Sequence, residues 1–263
     1  MGTTESPQTR IGPAPGVPIA PGASESLSAR DSRALERRKY MIRRFLGFVR
    51  HGRGFSLTMT QLAQGSMFSK ATWYGAYASM SDVWLDAALV NAELQLGYFT
   101  DLARGADGAA ARAADVPAGA MPHLISAVYL AHARRNPELW AAATSFKMMC
   151  KAPNEPFPAE TAPLKAIEDA IGETAAGLID PSGTADPRDV DALRATVAGF
   201  IVLETIGPGF QWSDPGSGTD SDHLRRVLRG AGAVHGADAT IPDEELYRLA
   251  MDVVEEHSRD WWP

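Results

Sequence analysis

The chain has 263 residues, of which 45% are hydrophobic and 22% are charged, as is typical of a globular protein with a sizeable core. Its single cysteine, Cys150, excludes an intrachain disulfide and favours a reducing compartment. No segment approaches the roughly 18 consecutive apolar residues that a membrane helix requires, and prolines interrupt the N-terminus where a signal peptide would be apolar. We therefore expect a cytoplasmic protein of one or two domains without a membrane partner.

The charge of the chain is unevenly distributed. Residues 1–80 contain 11 Lys and Arg against 4 Asp and Glu, whereas the remaining residues contain 14 against 28, for a net charge of −7. A basic N-terminal third in an acidic protein is typical of a part that meets a polyanion such as DNA. A solvated basic helix would give the same counts, and charge alone favours neither interpretation.

Residues 1–30 contain 13 Pro, Gly or Ser and few large apolar side chains. Such a segment cannot bury enough surface to offset its ordering entropy, so we predict a disordered tail. From Ala34 the pattern becomes helical, with arginines between the members of an apolar stripe. The stripe consists of Leu35, Tyr40, Ile42, Phe45, Leu46 and Val49. Gly52 and Gly54 end the predicted helix.

Residues 57–77, with the sequence LTMTQLAQGSMFSKATWYGAY, predict two short helices. Thr58 is a favourable N-cap for the first, and Ser69 can cap a second that runs to the end of this segment. Residues 64–69 allow a turn between them. A supporting helix, a short helix, a turn and another short helix form the helix-turn-helix arrangement, so we expect such a domain over residues 31–82.

Almost every later segment predicts a helix, and no run alternates apolar and polar residues with the period of a strand. Ser81 can cap a long helix that extends to about Ala103. The further helices are predicted at 122–133, 137–151, 164–178, 187–206, 220–229 and 246–261. We therefore predict an all-α protein in which residues 83–263 form a larger helical domain.

Residues in and around the second short helix occur in a characteristic order. The positions concerned are Leu62, Ala63, the string FSKATWY at 68–74, Tyr77, Ser79, Val83 and Trp84. Over residues 34–90 this order resembles the N-terminal domain of TetR-family transcription regulators. The resemblance implies a helix-turn-helix DNA-binding domain, followed by an effector-binding and dimerisation domain over residues 83–263.

The same resemblance assigns roles to individual side chains. It implies that the second short helix enters the major groove as the recognition helix, with Trp73 and Tyr77 in the core. The residues expected to contact DNA are Thr58, Thr60, Gln61, Ser69, Lys70, Ala71, Thr72 and Tyr74. In this scheme hydroxyl groups and Lys70 hold phosphates, while Ala71 and Thr72 face the bases.

The sequence departs from the family pattern at several positions. These are Met67, where the family usually has a turn glycine, and Gly75, Ala76 and Met80, where it often has larger or basic side chains. Three expected phosphate contacts are thereby missing. Either Arg33, Arg37 and Arg44 compensate with the N-terminal tail, or the chain is a TetR-like helical protein with weak or lost DNA binding. In the second case it would be a ligand-binding or protein-interaction module.

The second domain offers a dimer helix and a candidate ligand pocket. Residues 190–209 resemble the family's eighth helix, which packs in a dimer interface, although a helix of the chain's own core would have the same periodicity. A homodimer is expected because helix-turn-helix proteins of this kind recognise two DNA half-sites, one for each copy. The residues expected to line a pocket for a small, largely apolar effector are Tyr98, Phe99, His123, Tyr129, Trp140, Phe146, Met149 and Phe200.

No segment has the pattern of a catalytic or metal-binding site. Cys150 has no histidine near it in sequence, and no glycine-rich phosphate loop occurs. His123 and His132 are nine residues apart and would not share a chelating face of a helix. We therefore interpret the chain as a repressor that an effector releases from operator DNA, without cofactor or metal, rather than as an enzyme.

Overall fold

The structure is a computed structural model that describes residues 29–105, 108–150, 161–183, 187–206, 242–259 and 261. Within these ranges the regular structure is helical and no strand is present, which confirms the all-α prediction. The α-helices are α1 (Ala29–Arg50), α2 (Met59–Ala63), α3 (Lys70–Ala76), α4 (Met80–Arg104), α5 (Gly108–Ala113), α6 (Met121–Arg135), α7 (Pro137–Cys150), α8 (Ala162–Ile179), α9 (Pro187–Ile206) and α10 (Asp243–Ser258). The predicted helix at 220–229 and tail residues 1–28 lie outside the described residues.

Helix α1 begins five residues before its predicted start, so the last two residues of the expected tail are helical. Part of the predicted apolar stripe forms the buried face of α1, and Ile42 and Phe45 are fully buried. Phe45 packs edge-on against Trp84 of α4, with ring centroids 4.8 Å apart. Beyond α1, Gly52 has φ +69°, a conformation that glycine adopts readily, and the chain turns towards α2.

Helices α2 and α3 start where the sequence predicts, because side chains satisfy their first free amides. Thr58 Oγ1 accepts a hydrogen bond from the Gln61 amide at 3.3 Å, and Gln61 Oε1 accepts one from the Thr58 amide at 2.9 Å. This reciprocal pair is a capping box. Ser69 Oγ accepts from the Thr72 amide at 3.1 Å and caps α3 in the same sense.

The turn between α2 and α3 contains its own glycine. Gly65 has φ +68°, so it supplies the left-handed residue two positions before Met67. The Met67 amide donates to Tyr40 Oη of α1 at 2.9 Å, and Trp73 Nε1 donates to Ser66 Oγ at 2.8 Å. The turn is therefore attached to α1 on one side and to α3 on the other.

Helix α4 is the central helix and is buried along most of its length. Its N-cap is Ser79, which forms a capping box with Asp82, so the prediction of Ser81 as the cap was wrong. An acidic residue three positions after the cap completes the box only for Ser79. Helix α4 ends at Gly105 (φ +56°) and packs against α7, α8 and α10.

The remaining helices surround α4. Helix α6 is buried from Met121 to Ala133, and α10 packs against α5 and α6. Helix α9 has the predicted bounds and packs against α6 and α8. In the part of the chain that the structure describes, no helix is long and apolar enough to cross a membrane. The same residues contain no group of three potential metal ligands.

Candidate nucleic-acid interface

The side chains of α3 divide between the core and the surface. Trp73 is fully buried and Tyr77, just after the helix, is 7% exposed, as the sequence predicts for packing residues. Lys70, Ala71 and Tyr74 are exposed, Tyr74 to 46%. Helix α3 is therefore held by one face and presents the other to solvent.

Seven of the eight residues expected to contact DNA are exposed, and Thr72 is half-buried. The exposed ones are Thr58, Thr60, Gln61, Ser69, Lys70, Ala71 and Tyr74. Three of the eight side chains, those of Thr58, Gln61 and Ser69, belong to the helix caps described above. Thr58 Oγ1 also donates to Gln61 Oε1 at 2.9 Å, so its only hydroxyl hydrogen is directed at the cap. These side chains fix the backbone of α2 and α3.

Lys70 and Tyr74 form the most exposed pair on α3. The ammonium of Lys70 lies 5.7 Å from the centre of the Tyr74 ring, within the range of a cation–π contact. Beyond this pair the helix surface is bare, because Gly75 and Ala76 are exposed and a Cβ at Gly75 would meet no atom within 4 Å. The functional groups on the surface of α3 thus end at Tyr74, two residues before the helix ends.

The arginines of α1 differ in their contacts. Arg44 Nε donates to the Leu62 carbonyl at 2.7 Å, and its terminal nitrogen donates to the Gln64 carbonyl. Arg33 Nε donates to the Ala29 carbonyl at 2.9 Å within α1. Arg37 is exposed. Arg44, expected as a compensating phosphate contact, therefore attaches the end of α2 to α1.

A charged network of Arg38, Tyr77, Asp86 and Glu93 joins α1 and the end of α3 to α4. Arg38 donates to Asp86 Oδ1 at 2.8 Å and to both oxygens of Glu93 at 2.9 and 3.2 Å. Tyr77 Oη donates to Asp86 Oδ2 at 2.6 Å. Burial raises the pKa of Tyr77, and the Asp86 charge raises it further. Burial likewise raises the pKa of Glu93, an effect that Arg38 opposes.

The C-terminal helix α10 is seated on α4 and α5. His257 Nδ1 is hydrogen-bonded to Asp101 Oδ2 at 2.7 Å. The His257 ring occupies the space beside Gly97, where a Cβ would lie 2.0 Å from Nε2. Glu256 Oε2 accepts from the Ala109 amide at 2.8 Å at the start of α5. A side chain at Gly97 is therefore incompatible with this position of α10.

Beyond α10 the chain returns to α1 through Trp261, which is 4% exposed. The Trp261 carbonyl accepts from Arg43 Nε at 2.9 Å. Its ring centre lies 5.9 Å from the Arg38 guanidinium carbon and 5.8 Å from Lys39 Nζ. The C-terminal segment thus contacts both the larger helical part and the charged network behind α3.

A neutral network of Asn91, Tyr98, His132 and Asn136 lies between α4 and α6. Tyr98 Oη is 3.1 Å from His132 Nδ1, and Asn91 Oδ1 is 2.8 Å from His132 Nε2. Burial lowers the pKa of His132 to about 3, so the ring is neutral at pH 7. Sequence reasoning considered His132 only as a metal ligand. The available signal was the polar pair His132 and Asn136, four residues apart in a helix that is otherwise apolar on that face.

The expected ligand-binding residues are not all in one environment. Tyr98, Phe99, His123, Tyr129 and Phe146 are buried, Trp140 and Phe200 are half-buried, and Met149 is 53% exposed at the end of α7. The rings of Phe99 and Tyr129 pack with centroids 4.9 Å apart. Burial raises the pKa of Tyr129 to about 12, whereas the neighbouring Arg194 lowers it. A polar group from α9 therefore lies beside the aromatic cluster.

Helix α9, expected at a dimer interface, has two faces. Leu193, Val197 and Ile201 are buried within the chain itself. Ala192, Ala195 and Gly199 are exposed. Among the described side chains of α9, these three large apolar residues serve the core and these three small residues face outward.

Comparison with known proteins finds no matching family model, no matching curated protein and no matching solved structure.

Proposed function

We propose that the chain is a TetR-like DNA-binding transcription regulator with α3 as its recognition helix. The observation that carries the proposal is the division of α3: Trp73 and Tyr77 hold it to the core, while Lys70, Ala71 and Tyr74 face solvent together. A helix held by one face and bearing a cation and a hydroxyl on the other fits entry into a major groove.

In this proposal the exposed groups of α3 have separate tasks. Lys70 neutralises a phosphate, and the Tyr74 hydroxyl donates to a backbone oxygen, so both fix the register of the protein on the duplex. Ala71 offers its methyl group to a thymine methyl, and Thr72 reads a base edge. The capped ends of α2 and α3 keep the two helices rigid during binding.

A homodimer is part of the proposal because two recognition helices must reach half-sites about 34–36 Å apart. The outward small residues of α9 suit close approach of a second copy. A charge at Val197 would disturb the chain's own core, because this residue is buried. Ala195→Glu tests the interface more directly, because Ala195 is exposed. Light scattering at micromolar concentration should detect a dimer for the wild type and a monomer for Ala195→Glu.

A small, largely apolar effector that releases the DNA completes the proposal. It would bind near Phe99 and Tyr129, whose rings pack within the larger helical part. Movement of α4 or α10 would reach α3 through the charged network and Trp261. By linkage, the effector weakens DNA binding by the same factor as DNA weakens effector binding. A factor of 10 to 100 corresponds to about 1.4–2.7 kcal/mol.

The deciding experiment is selection of bound sequences from random duplex DNA. The wild type should enrich a two-fold symmetric motif. Lys70→Ala should bind this motif more weakly, with a salt slope lower by about 1.8, because each of the two copies loses one phosphate contact worth about 0.9. Arg248→Ala removes an exposed cation from α10 and is the matched control, for which affinity and slope should not change. A wild type that enriches no motif would contradict the proposal.

The second candidate is a TetR-like helical module that has lost DNA binding. The exposed surface of α3 at Gly75 and Ala76 favours it, because these two positions carry no functional group that could contact DNA. This candidate predicts no enriched duplex but a thermal shift with apolar ligands. The regulator predicts an enriched duplex as well as a thermal shift. For the regulator, each ligand that shifts the unfolding temperature should also change the affinity for DNA.

A further inference from the structure

The exposed face of α1 carries a groove that the α3 surface does not include. Tyr40, Arg43, Arg44, Gly47, Phe48 and His51 follow one another at helical spacing and line it together with Arg53. Its volume is about 560 Å³. Four of the seven lining residues are Arg or His and none is acidic. We call these seven residues the basic groove.

The basic groove is continuous with the candidate DNA-binding surface. A second recess of about 260 Å³ shares Phe48 and Arg53 with it and extends to Gln61 and Gln64 of the α2 region. Gln61 is one of the residues expected at the DNA. A ligand long enough to touch Gln61 and the groove would therefore remain on one face of the molecule.

Local contacts hold the groove side chains in place. Arg44 donates to two backbone carbonyls, at Leu62 and Gln64, and among the described residues no carboxylate compensates its charge. His51 Nδ1 is hydrogen-bonded to the Gly47 carbonyl at 2.6 Å, which leaves Nε2 as the outer ring atom. His51 and Arg53 are both exposed at the end of the groove near α2. The groove therefore combines one cation that is held in place, Arg44, with two exposed basic side chains, His51 and Arg53.

We infer that the basic groove binds the phosphate backbone of the duplex DNA that flanks the bases read by α3. This inference rests on the proposed function and extends it to a second contact surface. A polyanion of regular spacing matches a row of cations along a helix better than a small apolar molecule does. Contacts here replace those missing at Gly75, Ala76 and Met80. The charge is supplied by α1 and the segment after it rather than by α3.

The test uses full-length protein with a selected operator duplex and with an unrelated duplex of equal length. Arg53→Ala should lower affinity for both duplexes alike, because phosphate contacts carry no sequence information. The salt slope should fall by about 1.8, since each copy of the dimer loses one phosphate contact, which is about a sixtyfold loss at 0.1 M salt. Adding His51→Ala should lower affinity further. Arg248→Ala is the control of equal charge, and all variants should unfold at the wild-type temperature because these side chains are exposed.

Duplex length supplies the second measurement. An operator that keeps the enriched motif but lacks about five flanking base pairs on each side removes several phosphates. It should bind wild type more weakly and Arg53→Ala almost unchanged. If Arg53→Ala and the double variant keep wild-type affinity and slope while Lys70→Ala loses both, the groove inference is overturned and the proposed function stands. If Lys70→Ala also keeps them, the proposed function itself fails.

Discussion

Helix α4 carries two buried polar networks of different character. Asp86 and Glu93 are hydrogen-bonded to Arg38, and Asp86 also to Tyr77, so this network connects α4 to α1 and to the end of α3. Asn91 and Tyr98 contact His132, whose pKa is lowered by burial to about 3, and this network connects α4 to α6. The charged network thus lies behind the candidate DNA surface, and the neutral network lies within the larger helical part.

The difference indicates where the molecule is sensitive to exact pairing. A buried charge that loses its partner costs several kcal/mol, whereas a neutral polar group that loses one costs less. The charged network therefore has few alternative arrangements and holds α3 in one orientation to α4. The neutral network does not change its charge near pH 7, because burial lowers the pKa of His132 to about 3.

The largest effect is expected from breaking the charged network. Arg38→Met leaves Asp86 and Glu93 buried without their cation, so the free energy of unfolding should fall by about 3–5 kcal/mol. Arg37→Met, at the exposed neighbouring position of α1, is the control and should change it by less than about 0.5 kcal/mol. Urea denaturation at pH 7 measures both. Equal midpoints for the two variants would show that the network does not hold α1 to α4.

The neutral network should appear in the pH dependence of stability. The folded pKa of His132, about 3, lies below the ordinary value of 6.5, so the unfolded chain takes up a proton that the folded chain refuses. The contribution of the neutral His132 ring to the free energy of unfolding is complete above pH 6.5 and is lost as the pH falls from 6.5 towards 3. At pH 5 the loss relative to pH 7 is about 2 kcal/mol, at about 1.4 kcal/mol per pH unit.

Denaturation profiles of the wild type and His132→Gln isolate this contribution. The substitution lowers stability at pH 7 through packing, and that difference serves as the reference. The gap between the two proteins should then narrow by about 2 kcal/mol at pH 5. Parallel profiles would mean that His132 is protonated in the folded state.

Helix α10 contacts the neutral network through His257 and Tyr98, and its position on α4 can be tested at one glycine. Gly97→Ala places a Cβ 2.0 Å from His257 Nε2, so the ring must leave its contact with Asp101. We expect a loss of about 1–2 kcal/mol in the free energy of unfolding. Gly177→Ala in α8 is the matched control, since a Cβ at this position would meet no atom within 4 Å. It should raise the free energy of unfolding by up to about 1 kcal/mol. The same sign for both changes would show that His257 is not seated on Gly97.

Sequence reasoning reached the local features of the fold and missed the distant ones. The caps at Thr58 and Ser69 follow from residue type and position, which act over a few residues, whereas the burial of Trp73 was implied by the resemblance. The partners of Arg38 lie 48 and 55 residues away in sequence, and spacing contains no information about them. The contacts of Arg44 with the Leu62 and Gln64 carbonyls were not predicted for the same reason, because these acceptors lie at the end of another helix. The phosphate contact expected of Arg44 stays a prediction.

The site was predictable to a similar depth. Lys70 and Tyr74 are four residues apart on α3, so helical spacing places them on one face, and both are exposed. The basic groove was not predicted, because it depends on how α1 lies against the segment that leads into α2. The resemblance placed most DNA contacts on α2 and α3, and the arginines of α1 were expected only to compensate for missing phosphate contacts. Only the packing of α1 beside Gln61 and Gln64 brings them onto the same face.

The smallest effect is expected at Gly75, on the face of α3 away from both networks. Alanine has a higher helix propensity than glycine by up to about 1 kcal/mol, and a Cβ here meets no atom within 4 Å. Gly75→Ala should therefore raise the free energy of unfolding by about 0.5–1 kcal/mol, measured in urea. If α3 enters the major groove, the added methyl should also change which base is enriched opposite it in the random-duplex selection. Ala71→Gly is the reverse control on the same surface and should lower stability by a similar amount. If both variants enrich the wild-type motif with unchanged affinity, α3 stabilises the domain without reading the bases, and the basic groove would be the DNA contact that remains.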